Sequence, residues 1–303
     1  MKDRNIKPEK DKNRYEREIG EFIKFISDIK NLSDSTAADY RRDIREFLLY
    51  NGKGAAEFNQ TDIMRFISSL QRKGQKNSTL NRKLSSIKTY ISYLLNTGKI
   101  DSDPSIGIKI ERDEREIPDI LTVQEIEKLM NAPDTNTDIG TRDRAIMEII
   151  YGLGLKAGEI SDLNLDDVNL EGGYIVKKDS SGERFIPLNK KAEKSLEDYK
   201  KYVRYTMDKE ETDALFLNKY GKRLSRQSIW KMIKDYGIKV GINKNVSPAL
   251  LRHSFAVHML ENGVNIEQVR EILGHQSIAT TQIYREKTDE SLSSAFKRAH
   301  PRD

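Results

Sequence analysis

The stretch SPALLRHSFAVHML (247–260) predicts a helix that begins at Pro248, and LGHQSIATTQIYRE (273–286) starts at the end of a second predicted helix, Ile266–Leu273. Proline suits the first turn of a helix because its missing N–H would have no partner there. Arg252 lies near the same end, where the helix dipole and the guanidinium both favour an anion. The two segments therefore predict a helical unit that binds a negatively charged group.

The second segment adds two polar side chains that can carry out chemistry on a phosphate. Gly274 breaks the helix so that His275 is presented from a turn, and Tyr284 follows nine residues later. A phenol can attack a phosphodiester while an arginine and a histidine hold the charge that develops on the phosphoryl group. The sequence offers no cluster of carboxylates for a two-metal site, so it favours a covalent mechanism without a metal or another cofactor.

The first third of the chain is predicted to be a small helical bundle. Residues 1–13 are expected to form a disordered, charged tail, whereas over 14–100 the apolar residues recur at helical spacing. Four short helices fit this pattern, and Ser35, Thr61 and Ser78 stand where the second, third and fourth would need an N-cap.

The remainder of the chain is predicted to be a linker and a larger domain. Residues 101–120, with two prolines and the charged run ERDERE, suggest an extended linker, and Thr122 suits the N-cap of the first helix of domain 121–303. Two β-type runs, Tyr174–Val176 and Arg184–Leu188, flank the turn DSSG and predict a hairpin. Further helices are predicted over Lys190–Met207, Arg226–Val240, Pro248–Glu261, Ile266–Leu273 and Asp289–Ala299. The fold class is therefore mainly α, with a four-helix bundle and a mostly helical domain that contains a small antiparallel β-sheet.

The composition of the 303-residue chain excludes several classes of protein. Charged residues make up 33% and hydrophobic residues 36%, and no apolar run reaches the roughly 18–20 residues of a bilayer span. The charged start lacks the apolar middle of a secretory signal. The absence of cysteine excludes disulfides, thiolate nucleophiles and cysteine-based zinc sites. These features predict a cytoplasmic protein that is not inserted in a membrane.

Basic residues are concentrated in two segments, one in each half of the chain. No acidic residue lies between Ile63 and Ile100, and Asp235 alone accompanies nine basic residues in the range 214–260. Ordinary solvated helices mix both signs, so one-sign segments indicate a polyanionic partner. We therefore expect a nucleic acid to be gripped from both sides. The expected contacts with it are Arg65, Arg72, Lys73, Lys76, Arg82, Lys83, Lys88 and Arg226.

At these segments the sequence resembles the tyrosine recombinase (phage integrase) family, and most closely its Xer-like members. STAADYRRDIREFLLY (35–50) and NSTLNRKLSSIKTYISYLLNTGKIDSDPS (77–105) are similar to the family's SAM-like core-binding domain. LLRHSFAVHMLENG (250–263) and LGHQSIATTQIY (273–284) are similar to its catalytic domain and stand in the same order. The resemblance covers nearly the whole chain.

The resemblance implies a site-specific recombinase that cuts and rejoins duplex DNA through a 3′-phosphotyrosyl intermediate. It implies a homotetramer on two sites, strand exchange through a Holliday junction, and no metal or nucleotide cofactor. The biological role would be chromosome-dimer resolution or the integration and excision of a mobile element. The C-terminal helix, with Phe296 as its anchor, would dock into a neighbouring protomer.

Three residues match the family's catalytic positions and three depart from them. Tyr284 matches the nucleophile, His275 the histidine of the LGH motif, and Arg252 the arginine of the HxxR motif. The departing positions hold Lys156 in place of the first arginine, Ala249 in place of the HxxR histidine, and Asp179 in place of the hairpin lysine.

Each departure weakens or removes a group that the family uses. Lys156 keeps the positive charge but loses the bidentate fork of arginine, and Ala249 can neither donate a hydrogen bond nor move a proton. Asp179 stands where the general acid would be, although Lys177 and Lys178 are adjacent and a one-residue shift in the turn would let Lys178 serve.

The departures leave three hypotheses for the activity. Loss of one preorganised donor costs about 2.7–4 kcal/mol, or roughly 100- to 1,000-fold in rate. The leading hypothesis is a Xer-like tyrosine recombinase, whose rate such losses would reduce. The alternative is a DNA-binding protein on a recombinase scaffold that has lost catalysis, and a type IB topoisomerase would share the chemistry.

Overall fold

The computed structural model describes residues 8–30, 34–54, 57–111, 119–179 and 182–274. The chain divides into two units, Met1–Glu116 and Ile117–Asp303. The predicted helix Asp289–Ala299 lies outside the described residues. No helix in the described ranges has both the length and the apolar character that crossing a lipid bilayer requires.

The first unit is the predicted four-helix bundle. Phe22 and Phe47 are fully buried, and Phe22 packs edge-on against Tyr90 with 5.0 Å between the ring centroids. Burying one such apolar side chain contributes about 1.5–3 kcal/mol, so the shared core holds the four helices together. The helices are α1 (Pro8–Lys30), α2 (Asp34–Asn51), α3 (Gln60–Arg72) and α4 (Asn77–Asn96).

The helix starts differ from the predicted ones. Helix α1 includes residues 8–13, which were expected to be a disordered tail. Helix α2 begins at Asp34, one residue before Ser35. Helix α4 begins at Asn77, after an N-cap without a side-chain hydrogen bond, so Ser78 lies inside the helix.

Thr61 is also not the cap of α3, because Asn59 occupies that position. The Asn59 side chain accepts from the backbone N of Asp62 at 3.2 Å, and the Asp62 carboxylate accepts from the backbone N of Asn59 at 3.0 Å. This reciprocal pair satisfies two N–H groups, whereas a threonine cap alone would satisfy one.

The first part of the predicted linker folds back onto the bundle. Ile108 is 8% exposed and belongs to the bundle core. Lys88 Nζ donates to the carbonyl of Ile108 at 3.0 Å, and Gln60 Nε2 donates to that of Ile106 at 2.9 Å. These contacts make residues up to Ile110 part of the first unit.

The second unit is built around the helix Asp138–Leu153 (α6), in which Ile146, Ile149 and Ile150 are fully buried. Thr122 caps the helix Val123–Met130 (α5) as predicted, since its hydroxyl accepts from the backbone N of Glu125 at 3.2 Å. The predicted helix Lys190–Met207 is interrupted by a π-helical segment, Tyr199–Arg204. The α-helices are α5 (Val123–Met130), α6 (Asp138–Leu153), α7 (Ala157–Ser161), α8 (Lys190–Asp198), α9 (Tyr205–Met207), α10 (Arg226–Lys239), α11 (Pro248–Glu261) and α12 (Ile266–Leu273).

The small antiparallel sheet has three strands in the order β1-β2-β3. The strands are β1 (Val168–Asn169), β2 (Tyr174–Asp179) and β3 (Gly182–Pro187). Ile175 and Ile186 face each other across β2 and β3 and are buried, so this face of the sheet covers the core. Because side chains alternate along a strand, the register decides which polar residues share the core face. The predicted fold class, mainly α with a small antiparallel sheet, is confirmed.

Candidate active site

Arg252 lies in the second turn of α11 and is 5% exposed. Its Nη1 donates to the carbonyl of Gly154, which follows α6, and its Nη2 donates to that of Leu273, the last residue of α12, at 2.7 Å. Carbonyls at helix C-termini carry partial negative charge, so they stabilise a buried guanidinium. Arg252 therefore joins the ends of two helices to α11.

Gly154 makes this close approach possible. It has a left-handed backbone, with φ of +67°, and a Cβ atom there would lie 2.7 Å from Leu273 and 2.8 Å from Phe255. Glycine suits both conditions, because another residue would strain the backbone and push the side chains of Leu273 and Phe255 aside.

The carboxylate of Glu159 lies at the centre of the site. Its Oε2 accepts from the backbone N of Lys156 at 2.7 Å and lies 3.7 Å from Arg252 Nη1. Its Oε1 accepts from Arg184 Nη2 at 3.0 Å. One carboxylate thus organises groups from α7, α11 and β3.

The positive charges around Glu159 outnumber it. Lys156 is exposed at the N-cap of α7, and the aliphatic part of Arg226 passes beside Gly158. With the less exposed Arg184 and Arg252, these residues give the site an excess of positive charge, which suits a phosphodiester.

The hairpin register separates the two candidate lysines. Lys177 lies directly opposite Arg184, on the sheet face that reaches Glu159. Lys178 faces the other way, is 67% exposed in its side chain, and pairs with Glu183 at 3.1 Å. Asp179 is the last residue of β2. A shift by one residue along a strand reverses the face, so Lys178 lies on the side away from Arg184.

Two predicted residues of the site lie outside the described residues. His275 follows Gly274, the last residue described, and Tyr284 lies further along the chain. Phe296 also lies outside the described residues. Ala249 is exposed in the first turn of α11, one turn before Arg252.

Lys83, expected to contact DNA, is instead part of the interior of the first unit. Its side chain is 7% exposed and its ammonium pairs with Asp43 at 3.4 Å and with Glu46. Asp43 also binds Arg82, whose Nη2 donates at 3.0 Å, and this hydrogen bond raises the pKa of Arg82. Lys83 is drawn into the interior because the buried carboxylate of Asp43 needs cationic partners.

The remaining predicted DNA contacts lie on the surface of their own units. Arg82 is 40% exposed in its side chain despite its ion pair. The exposed residues are Arg65, Arg72, Lys73, Lys76 and Lys88 in the first unit and Arg226 in the second.

Sequence reasoning missed Glu159 and Arg184 as site residues. Glu159 stands three residues after the N-cap Lys156, which is the spacing of a capping box, and this signal could have located it. Arg184 lies two residues before Ile186 in the same strand, and side chains two apart point to the same face of a sheet. This spacing alone could have indicated that Arg184 faces the core.

Two histidines of α11 pack inside the second unit. The Nδ1 atom of His258 lies 3.0 Å from the hydroxyl of Tyr151, and burial lowers the pKa of His258. Burial and the positive charge of Arg252 lower the pKa of His253. Both imidazoles are therefore neutral at pH 7.

We expect the protein to lose stability as the pH falls below about 6.5, the pKa of an unfolded histidine. A lowered pKa in the folded state means that the unfolded state binds more protons, so protonation favours unfolding. Urea titrations at pH 7.5 and 5.5 measure the loss. In His258→Gln the loss should be smaller, and an undiminished loss in that variant would refute this role of His258.

Comparison with known proteins finds matches over both units. The model of the phage integrase family matches residues 119–291, and that of the phage integrase N-terminal SAM-like domain matches residues 19–98.

Individual relatives match over nearly their whole length. The tyrosine recombinase XerD of Listeria monocytogenes serotype 4b (strain F2365) is 38% identical over 293 residues, which cover 94% of this chain and 98% of the relative. XerD of Staphylococcus haemolyticus (strain JCSC1435) is 37% identical over 290 residues, with the same coverage.

Solved structures share the fold. The crystal structure of XerA recombinase aligns with a TM-score of 0.53 at 27% identity, over 95% of this chain and 99% of the other. XerH site-specific recombinase, bound to a palindromic difH substrate in a post-cleavage complex, aligns with a TM-score of 0.70 at 20% identity, over 97% and 90% of the two chains.

Proposed function

This chain belongs to the phage integrase family, and we propose on that premise that it cuts and rejoins duplex DNA at a specific site. It is a Xer-like tyrosine recombinase. The observation that carries the proposal for its site is the contact between Arg252 and Leu273. The 2.7 Å hydrogen bond between them joins the HxxR segment to the first residue of the LGH segment.

In the proposed reaction the phenol of Tyr284 releases its proton to water as its oxygen attacks the scissile phosphorus and forms a 3′-phosphotyrosyl bond. The bond from phosphorus to the 5′ oxygen breaks, and a hairpin lysine gives that oxygen its proton. Arg252, His275 and Lys156 stabilise the negative charge on the non-bridging oxygens. Rejoining is the reverse attack by a free 5′ hydroxyl. No step needs a metal or another cofactor.

The buried setting of Arg252 supports its part in this reaction. Its guanidinium is fixed by two carbonyls before any substrate binds, so little reorganisation is needed when charge develops on the phosphate. Lys156, by contrast, is exposed, and its four-carbon stem leaves the ammonium less well oriented than an arginine fork.

The two hairpin lysines are not equivalent in this proposal. Since Lys177 shares a sheet face with Arg184 and Lys178 does not, we favour Lys177 as the proton donor to the leaving oxygen. We expect Lys177→Ala to slow cleavage by about 100-fold or more, the usual size of a general-acid contribution. Lys178→Ala should have a much smaller effect.

A substrate with sulfur in place of the 5′ bridging oxygen tests this assignment. A thiolate leaves without needing a proton, so Lys177→Ala should recover most of its rate on that substrate. The opposite result would identify Lys178 as the proton donor: Lys177→Ala would cleave the ordinary substrate at the normal rate, and Lys178→Ala would be slow on it but recover on the sulfur substrate.

The DNA partner is proposed to be clamped by the basic residues of both units. The proposed contacts are Arg65, Arg72, Lys73, Lys76, Arg82, Lys88 and Arg226. The assembly we propose is a homotetramer on two sites, joined through the C-terminal helix, that exchanges strands through a Holliday junction. Chromosome-dimer resolution and mobile-element integration would both use this assembly, and both place the protein in the cytoplasm.

A second candidate function, DNA binding without catalysis, is favoured by Lys156, Asp179 and Ala249. A suicide duplex distinguishes the recombinase from the non-catalytic DNA-binding protein. Its sequence is selected by the protein from a random library, and it carries a nick that lets the 5′ fragment diffuse away. A covalent adduct trapped on this suicide duplex supports the recombinase. Tight binding without any adduct supports the second function.

A further inference from the structure

Arg184 fills the space between Glu159 and the end of α12. Its side chain is 18% exposed, and its Nη2 donates to Glu159 at 3.0 Å. On the other side its Nη1 lies against Gly274, where an added Cβ atom would fall 1.7 Å from that nitrogen. Gly274 also has a left-handed φ of +63°. The left-handed backbone favours glycine at this position, and a larger side chain there would displace the guanidinium of Arg184.

The contacts of Arg184 are incomplete for a purely structural residue. Its Nε atom is buried and has no hydrogen-bond partner within the described part of the chain. Leaving a buried donor unpaired is unfavourable, because the donor has lost its hydrogen bonds to water. A residue kept at that cost is a candidate for function, because unsatisfied groups concentrate at functional sites.

The contacts around Arg184 close into a ring. Arg184 binds Glu159, whose other oxygen lies 3.7 Å from Arg252. Arg252 donates to the carbonyl of Leu273, and the next residue, Gly274, lies against Arg184. The ring joins β3, α7, α11 and α12, so displacement of one member moves the others.

We propose that Arg184 is a positioning residue for DNA cleavage. It orients Glu159, and through it Arg252, and it sets where Gly274 lies, the residue from which His275 continues. The inference rests on the proposed function, because it assigns Arg184 a part in that reaction. Arg184 acts on the phosphate through these neighbours and needs no contact with the DNA.

The test uses Arg184→Gln and Arg184→Lys on the nicked suicide duplex, with adduct formation followed at saturating protein. A displacement of about 1 Å in a catalytic group costs on the order of 100-fold, so Arg184→Gln should slow the adduct by about that factor. DNA affinity should not change. Arg184→Lys keeps a positive charge beside Glu159 but has no second nitrogen to contact Gly274. Its rate of adduct formation should therefore lie between those of Arg184→Gln and the unmodified chain.

Arg144→Gln is the matched control. The Arg144 side chain is 24% exposed and pairs with Glu148 at 2.8 Å on α6, so its loss removes a comparable ion pair elsewhere in the unit. It should lower the melting temperature without changing the rate of adduct formation. A similar fall in rate for Arg144→Gln and Arg184→Gln would show a general effect of destabilisation and overturn the inference.

Coupling to Glu159 gives a second criterion. If Arg184 acts through Glu159, the rate losses of Glu159→Gln and Arg184→Gln will not multiply in the double variant. Multiplied losses, or a rate for Arg184→Gln within about threefold of the unmodified chain, would refute the inference.

Hydrogen exchange separates this inference from the proposed function. Arg184→Gln should speed amide exchange at Leu273 and Gly274 by about tenfold, since their local opening is no longer restrained by the guanidinium. Unchanged exchange there overturns the positioning role whether or not the chain cleaves DNA. If the unmodified chain forms no adduct but exchange still responds to Arg184→Gln, the proposed function fails and the positioning contact stands.

Discussion

Tyr284→Phe is expected to abolish the covalent protein–DNA adduct while DNA affinity stays unchanged. The substitution removes the phenol oxygen that forms the bond to phosphorus, and no other atom of the side chain can replace it. The measurement is denaturing electrophoresis of the nicked suicide duplex after incubation with protein, alongside a gel shift for affinity. The adduct band should fall below detection.

Tyr205→Phe is the control for this experiment. Tyr205 is 84% exposed in the second unit, and its hydroxyl has no role in the proposed reaction. This variant should form the adduct at the unmodified rate. An adduct that persists in Tyr284→Phe would show that another nucleophile attacks the DNA, and the assignment of the phenol would be wrong.

The double variant Lys156→Arg, Ala249→His is expected to cleave DNA at least about 100-fold faster than the unmodified chain. Each substitution returns a donor that the family carries at that position, and one such donor contributes about 2.7–4 kcal/mol. Both positions are exposed, so the larger side chains can be accommodated without repacking the core. The measurement is the rate of adduct formation at saturating protein.

Two comparisons make this result specific. Lys194→Arg exchanges another exposed lysine, on α8, and should leave the rate as it is. The melting temperature of the double variant should change little, since surface substitutions alter stability by about 0.5 kcal/mol or less. Absence of any gain would mean that Lys156 and Ala249 belong to a site arranged around other groups.

The local elements of the site were predictable from the sequence. Helices α11 and α12 begin and end at the predicted residues, since Pro248 at the helix start and Gly274 just beyond the end act within one turn. The hairpin and the capping box at Thr122 are equally local. The family resemblance added the pairing of the HxxR and LGH segments.

Errors arose where a residue's partner lies far away in the chain. Lys83 reads as a surface cation in the run from Ile63 to Ile100, but its partner Asp43 is 40 residues earlier and in another helix. A run of basic residues in the sequence does not show which of them are buried. Burial depends on which of them pair with a carboxylate in the folded chain.

Periodicity, helix caps and ordered motifs each act over a few residues, so the amino acids alone were enough to predict the mainly helical class and the family. The tertiary structure alone decided that Glu159 joins Arg184 to Arg252, and that Lys177 shares their face of the sheet while Lys178 does not. The physical reason is that strand register and the meeting of α7, α11 and α12 are set by packing of distant segments, which no local pattern encodes.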